Sequence, residues 1–236
     1  MDHRIVSRNE WIESRRAFLA KEKEFTRLRD ELSRERRGLP WEQVEKAYLF
    51  DGPDGRESLA DLFAGKSQLI VYHFMFAPDW EEGCKSCSFW ADNFDRLPVH
   101  LKHRDTTMIA ISRAPLAKLD AYRKRMGWSF KWVSSARNDF NFDYKVSFAG
   151  PQAGRSQADY NFGASADDAR YVGEEFPGIS VFLKDEAGRI FHTYSCYARG
   201  IDMMNNAYHY LDLTPKGRDE GDGIMAWLRR ADEYKD

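Results

Sequence analysis

Two cysteines in C-x-x-C spacing carry the clearest chemistry of this sequence. Cys84 and Cys87 follow the apolar run Leu69–Phe76 and a short acidic loop, and they open a segment with helical character. A separation of three residues places both sulfurs on one helix face, and the helix N-terminus favours a thiolate on the first. A thiolate attacks disulfides, and a second thiol one turn away can resolve the mixed disulfide. The pair therefore predicts a dithiol redox site, with Cys84 attacking and Cys87 resolving.

Two other interpretations of the pair stay open. The first is zinc, but a closed site needs four ligands, and no second C-x-x-C or H-x-x-x-H completes one, so we expect neither a metal nor a cofactor. The second is a structural or vestigial pair on a fold reused for binding. Acidic residues precede Cys84, so we expect its pKa to be only moderate. Cys196, alone after a predicted strand, is expected to be a small buried apolar residue.

The segments that must position the cysteines alternate between strands and helices. The predicted elements are a turn-linked hairpin at 48–56, a short capped helix at Ser58–Phe63, strands at Leu69–Phe76 and Asp105–Ser112, a helix at Pro115–Met126, a strand at Phe130–Ser134, a hairpin at 179–194 and a final helix from about Ile201. Strand–helix–strand alternation implies right-handed crossovers and parallel strands with helices on the sheet faces. From Ser147 to about Glu175 the chain lacks periodicity, which predicts an inserted loop.

A long helix is predicted ahead of this alternation, from about Glu10 to Arg37. Trp11, Phe18, Phe25 and Leu32 recur every seven residues in otherwise charged sequence. Such an apolar stripe is typical of a surface helix packed on its own chain, and also of an arm that forms a homodimer.

Composition narrows the class of protein. The net charge is −2, so nothing favours bulk attraction to nucleic acid or to an anionic membrane. No apolar run approaches the roughly 18 residues of a membrane span, and the charged N-terminus does not read as a secretory signal. Three cysteines do not form a secreted disulfide framework, so we expect a cytoplasmic protein.

The order of these elements resembles the thioredoxin fold in its peroxiredoxin-like elaboration. More specifically, the chain resembles the bacterial thioredoxin-like family catalogued as domain of unknown function 899. The segments that carry this match are Leu39–Trp41, His73–Met75, Cys84–Trp90, Ser112–Leu116, Arg125–Trp128, His192–Ser195, Tyr197–Gly200, Tyr208–Asp212 and Thr214-Pro215. The resemblance implies an α/β fold with a central mixed sheet flanked by helices, but it implies no substrate.

The same resemblance shows where this chain departs from the pattern. Thioredoxins usually have Trp before the first cysteine and Gly-Pro between the pair, whereas here Gly83 precedes Cys84. Their cis-proline precedes a strand, a position that aligns near Ile179, while Pro177 comes two residues earlier. Peroxiredoxins place Thr three residues before the reactive cysteine, and that position holds Glu81 before Cys84.

We therefore expect a thioredoxin-like domain at 41–215, an N-terminal helical extension at 1–40 and a polar tail at 216–236. The expected function is thiol–disulfide oxidoreduction, acting on a protein or small-molecule disulfide. A peroxiredoxin-like peroxide reductase and a non-catalytic thioredoxin-fold binding or assembly module are the alternatives. We expect no nucleic-acid or membrane partner, and the N-terminal helix is the candidate surface for a homodimer.

Overall fold

In the computed structural model, which describes residues 3–148, 156–164, 174–221 and 223–235, the long helix α1 spans Arg8–Arg37. Ser7 caps its start, and the Glu10 side chain accepts in return from the Ser7 backbone. No residue of α1 is buried, and its seven-residue apolar stripe is exposed. Homodimer formation through this helix stays a prediction. No helix in the described ranges is long and apolar enough to cross a membrane.

Residues 1–40 and 41–236 form two compact units, and the second contains one eight-stranded mixed sheet. Its strands are β1 (Glu42–Gln43), β2 (Leu49–Gly52), β3 (Gly55–Ser58), β4 (Gln68–His73), β5 (Thr106–Ser112), β6 (Lys131–Ser134), β7 (Gly178–Lys184) and β8 (Ile190–Tyr197). Their order across the sheet is β1-β8-β7-β4-β5-β6-β2-β3. Its helices are α2 (Lys85–Phe94), α3 (Pro98–Leu101), α4 (Leu116–Met126), α5 (Phe140–Asp143), α6 (Ser156–Asp159) and α7 (Asn206–Leu211).

Strand β4 lies inside the sheet and positions the cysteine segment. It pairs parallel with β5, where Tyr72 lies opposite Ala110, and antiparallel with β7, where Tyr72 lies opposite Ile179. Helix α2 lies in the connection from β4 to β5, and α4 in that from β5 to β6, where the parallel pairing requires crossovers. The later strands β7 and β8 form the antiparallel hairpin. The expected thioredoxin-like α/β fold is therefore confirmed.

Alternate residues of β4 point to opposite faces of the sheet, and each face has its own core. Tyr72 packs in a cluster with Cys87, Trp90 and other residues of the cysteine helix. Val71 packs in a second cluster with Leu69. The tyrosine and both cysteines consequently share one face of the sheet.

Several local predictions differ from the observed elements. The 48–56 hairpin is confirmed as β2 and β3, whereas the short capped helix before β4 is only a 3₁₀ turn at Asp61–Phe63. The final helix is a 3₁₀ segment, Ala198–Met204, followed by α7. The predicted inserted loop falls partly outside the described residues, and its described part includes α6. Beyond α7 the chain continues to pack, since Leu228 has no exposed surface.

Candidate active site

The two predicted cysteines meet at the N-terminus of α2. Cys84 is the N-cap residue, and its backbone N–H donates to the carbonyl of Met75 at 3.1 Å, which fixes it against the chain leaving β4. Cys87 lies one turn further on, 1% exposed, whereas Cys84 is partly exposed. The cysteines are not disulfide-bonded in this structure. Cys84 is therefore the more exposed cysteine of the two.

The two thiols have opposite acidities. A hydrogen bond from the Cys87 side chain lowers the pKa of Cys84 to about 6, and hydrogen bonds from the backbone N–H groups of Cys87 and Ser86 add to this against the effect of burial. Burial raises the pKa of Cys87 well above its ordinary value, and the neighbouring Cys84 raises it further. The Met75 N–H donates to the Cys87 sulfur at 3.4 Å. At neutral pH this favours a Cys84 thiolate beside a Cys87 thiol.

Gly83 fills the position where thioredoxins usually have Trp, and the packing explains the small residue. A Cβ at Gly83 would lie 2.9 Å from ring atoms of both Phe74 and Tyr122. Since real Cβ atoms do not approach other heavy atoms so closely, only glycine lets the chain pass between these two rings.

A polar network joins the start of α2 to the C-terminal segment. The Ser88 hydroxyl donates to the Cys84 carbonyl at 2.9 Å and lies 2.9 Å from the Tyr122 hydroxyl. Arg230 donates to the same Tyr122 oxygen at 2.8 Å and to the Gly83 carbonyl at 2.9 Å. Arg230, which lies 146 residues after Cys84 in the sequence, therefore holds the backbone next to that cysteine.

The acidic loop before the cysteines is partly neutralised in the folded chain. Glu82 forms ion pairs with Arg230, at 2.9 Å, and with Arg125. The sequence predicted that these carboxylates would disfavour a Cys84 thiolate, but they are not among the main causes that set the pKa of Cys84. Hydrogen bonding at the helix N-terminus dominates instead.

A cavity of about 510 Å³ opens beside Cys87. Its apolar and aromatic walls come from the sheet, from α2 and from the segments before and after α7. The apolar and aromatic lining residues include Tyr72, Met75, Cys87, Trp90, Pro177, Ile201, Tyr208, Ile224 and Met225, and the charged ones are Arg199, Asp202, Asp212, Arg218 and Glu220. Volumes of this size are typical of small-molecule sites.

Pro177 stands directly before a strand, which is where thioredoxins have their cis-proline. Strand β7 begins at Gly178, one residue before the predicted hairpin, so Pro177 directly precedes it. Pro177 lines the same cavity as Cys87. No cis peptide bond occurs in the described part of the chain.

The third cysteine, Cys196, belongs to the same buried cluster as Cys87, and Arg113 is engaged in a buried ion pair. Cys196 is buried in β8, opposite Ile179, as expected of a small apolar residue. Arg113 donates to the buried carboxylate of Glu175 at 2.6 Å and stacks on the Phe142 ring. Over the described ranges, no cluster of three or more His, Cys, Asp or Glu side chains could hold a metal ion.

Sequence reasoning did not place Arg230 at the site, and it weighed Tyr72 only as one of several residues that could either border the cysteines or pack in the core. Tyr72 lies in strand β4, whose residues are mostly apolar or aromatic, so the sequence does not show which face of the sheet it occupies. For Arg230 the only signal was the short amphipathic stretch around Ile224–Leu228, which indicates a segment that packs.

Solved structures similar to this chain include peroxidoxin BcpB from Mycobacterium tuberculosis, with 11% identity over 70% of this chain and 93% of that one, at a TM-score of 0.47. Peroxiredoxin Q from Xanthomonas campestris is 12% identical over 67% and 87%, at 0.42. A protein from Chlorobium tepidum assigned as thiol:disulfide interchange protein DsbE is 12% identical over 72% and 97%, at 0.41.

Comparison of sequences adds the family. No curated protein sequence matches this chain. The family described as bacterial protein of unknown function (DUF899) matches residues 1–234, so nearly the whole sequence follows its pattern. The resemblance drawn from the cysteine helix and the later motifs is thereby confirmed, and the chain belongs to the DUF899 family.

Proposed function

We propose that this protein is a thiol–disulfide oxidoreductase in which Cys84 is the attacking thiol and Cys87 the resolving thiol. The observation that carries the proposal is the contrast between the two sulfurs one helical turn apart. Cys84 is partly exposed and has a lowered pKa, whereas Cys87 is buried and has a raised pKa. Attack requires a thiolate, and resolution requires a second thiol within reach of the first.

The reaction follows from these roles. The Cys84 thiolate attacks one sulfur of a disulfide R–S–S–R′, the S–S bond breaks, and R′–S⁻ leaves while a Cys84–S–S–R bond forms. The Cys87 thiol then loses its proton to solvent or to the departing thiolate and attacks the Cys84 sulfur. R–S⁻ departs, and the Cys84–Cys87 disulfide remains. Two electrons have passed to the substrate, and an external dithiol reductant restores the pair.

Hydrogen bonds around the pair support this order of events. In the free enzyme the Cys87 thiol donates a hydrogen bond to the Cys84 thiolate. When Cys84 becomes a mixed disulfide it loses its negative charge, so Cys87 no longer has this acceptor and is free to react. The Met75 N–H still donates to the Cys87 sulfur and stabilises it as it ionises. The network through Ser88 and Arg230 holds the Cys84 backbone in place.

Trapping tests the proposal. On a Cys196→Ser background, Cys87→Ser should accumulate a mixed disulfide with an added substrate disulfide, whereas Cys84→Ser should capture none. Mild oxidation of the same background should link Cys84 to Cys87, as peptide mapping reports. Equal capture by both single variants contradicts the assigned roles. Peroxide consumption that depends on Cys84, without any disulfide capture, favours a peroxide reductase instead.

A further inference from the structure

The cavity beside Cys87 is walled mainly by apolar and aromatic groups. Met75, Ile201 and Met225 line the cavity together with Cys87. Trp90 also lines it, and its indole N–H already donates to the Ile201 carbonyl at 3.0 Å. These walls stabilise a ligand by removing its apolar surface from water.

Charged side chains line one end of the cavity, and the described ones are paired within the chain. Arg218 forms two hydrogen bonds with the Asp212 carboxylate, both at 2.9 Å, and Asp202 accepts from Arg199 at 3.0 Å. Glu220 accepts from the Tyr208 hydroxyl at 2.7 Å. Because these groups already satisfy one another, the cavity offers little to a charged ligand, which would lose its water without replacement.

One polar group in the cavity wall has only a cysteine sulfur beside it among the described residues. Tyr72 has no exposed surface, yet its hydroxyl makes no hydrogen bond of normal geometry within the described residues. Burial is the main cause that raises the pKa of Tyr72, and the adjacent Cys87 sulfur raises it further by its charge and by a weak hydrogen bond outside normal geometry. Buried hydroxyls are normally satisfied, and sulfur is only a weak acceptor, so this donor in a cavity wall indicates a place for a ligand atom.

We propose that the cavity binds an uncharged, largely apolar group of a small organic disulfide, with the Tyr72 hydroxyl donating to a polar atom of that group. The inference rests on the proposed function, because it names the substrate class of the same site. The group R of R–S–S–R′ lies in the cavity while its sulfur meets Cys84. When Cys87 resolves the mixed disulfide, the Cys84–S–R bond breaks and R–SH leaves the cavity.

A pair of aromatic disulfides that differ in charge tests the proposal. Neutral 4,4′-dithiodipyridine and dianionic 5,5′-dithiobis(2-nitrobenzoate) are each reacted with the reduced full-length protein, with glutathione disulfide as a third, charged substrate. Each rate is divided by the rate of the same disulfide with free dithiothreitol, which removes differences in intrinsic reactivity. We expect the normalised rate to favour the neutral compound by about tenfold, a selectivity of about 1.4 kcal/mol.

Two variants locate the preference in the cavity. Tyr72→Phe breaks no existing hydrogen bond of normal geometry, so the fold should persist, and loss of the donor should slow the neutral substrate about fivefold. Ile224→Lys places a positive charge at the cavity rim on a side chain that is already 62% exposed, and should reduce the neutral preference because it attracts the anionic disulfides. Leu213→Lys, at a position that is also exposed but lies outside the cavity lining, is the matched control and should behave as the parent.

The outcomes separate the two proposals. Equal normalised rates for neutral and anionic disulfides, unchanged by Ile224→Lys, overturn the cavity assignment and leave the exchange reaction standing. Failure of every disulfide to react with Cys84 overturns the exchange reaction itself.

Discussion

Removing the Cys87 thiol should raise the pKa of Cys84. The hydrogen bond from Cys87 is the largest cause of the lowered value of about 6. A hydrogen bond to a charged group contributes about 1.5–3 kcal/mol, and one pKa unit corresponds to about 1.4 kcal/mol. Cys87→Ala should therefore raise the pKa of Cys84 by about one to two units, and the thiolate fraction at pH 7 should fall from about nine tenths to between about one half and one tenth.

The assay is the rate of Cys84 alkylation by iodoacetamide as a function of pH, followed on its own peptide by mass spectrometry. Cys87→Ser is the matched control, because its hydroxyl can still donate to the thiolate and should retain most of the lowering. If Cys87→Ala and the parent share one midpoint near pH 6, the hydrogen bond does not set the acidity. In that case the helix N-terminus alone accounts for it.

Two further perturbations test the packing around the site. Gly83→Ala should destabilise the protein by about 1–3 kcal/mol in urea unfolding, because the new Cβ meets two aromatic rings, whereas Gly221→Ala has open space and should change little. Burial raises the pKa of Glu175 to about 7, so the folded state holds extra protons between about pH 4.5 and 7 and loses stability as pH rises through that window. Glu175→Gln should remove this pH dependence. If the parent and the variant show the same change in unfolding free energy between pH 5 and pH 7.5, measured by urea unfolding, burial of Glu175 is not its cause.

The fold was largely predictable because its central strands are continuous apolar runs. Strand β4 and strand β5 read as buried strands, and the turn residues between β2 and β3 identify that hairpin. Strand β1 was not predictable. It has two exposed residues and exists only through its pairing with β8, so its sequence carries no periodic signal.

The C-terminal segment shows the same limit on the polar side of the sequence. Its many charged residues predict a solvated tail, yet Arg125 forms an ion pair with Asp232 at 2.6 Å and Lys85 donates to the Leu228 carbonyl at 3.2 Å. These contacts join residues more than a hundred positions apart. The pattern of apolar residues predicts which residues are buried, but it does not predict which distant residue pairs with a charged side chain.

The acidity of Cys84 illustrates why sequence proximity misleads in electrostatics. The carboxylates closest to it along the chain predict a disfavoured thiolate, but Glu82 faces two arginines, one of them from the C-terminal segment. Since charge interactions depend on distance in space and on local hydration, the neighbours that count are those brought together by folding. The spacing of Cys84 and Cys87 could be interpreted correctly because a helix converts sequence separation directly into distance. The charge of the loop could not, because its partners arrive from elsewhere in the fold.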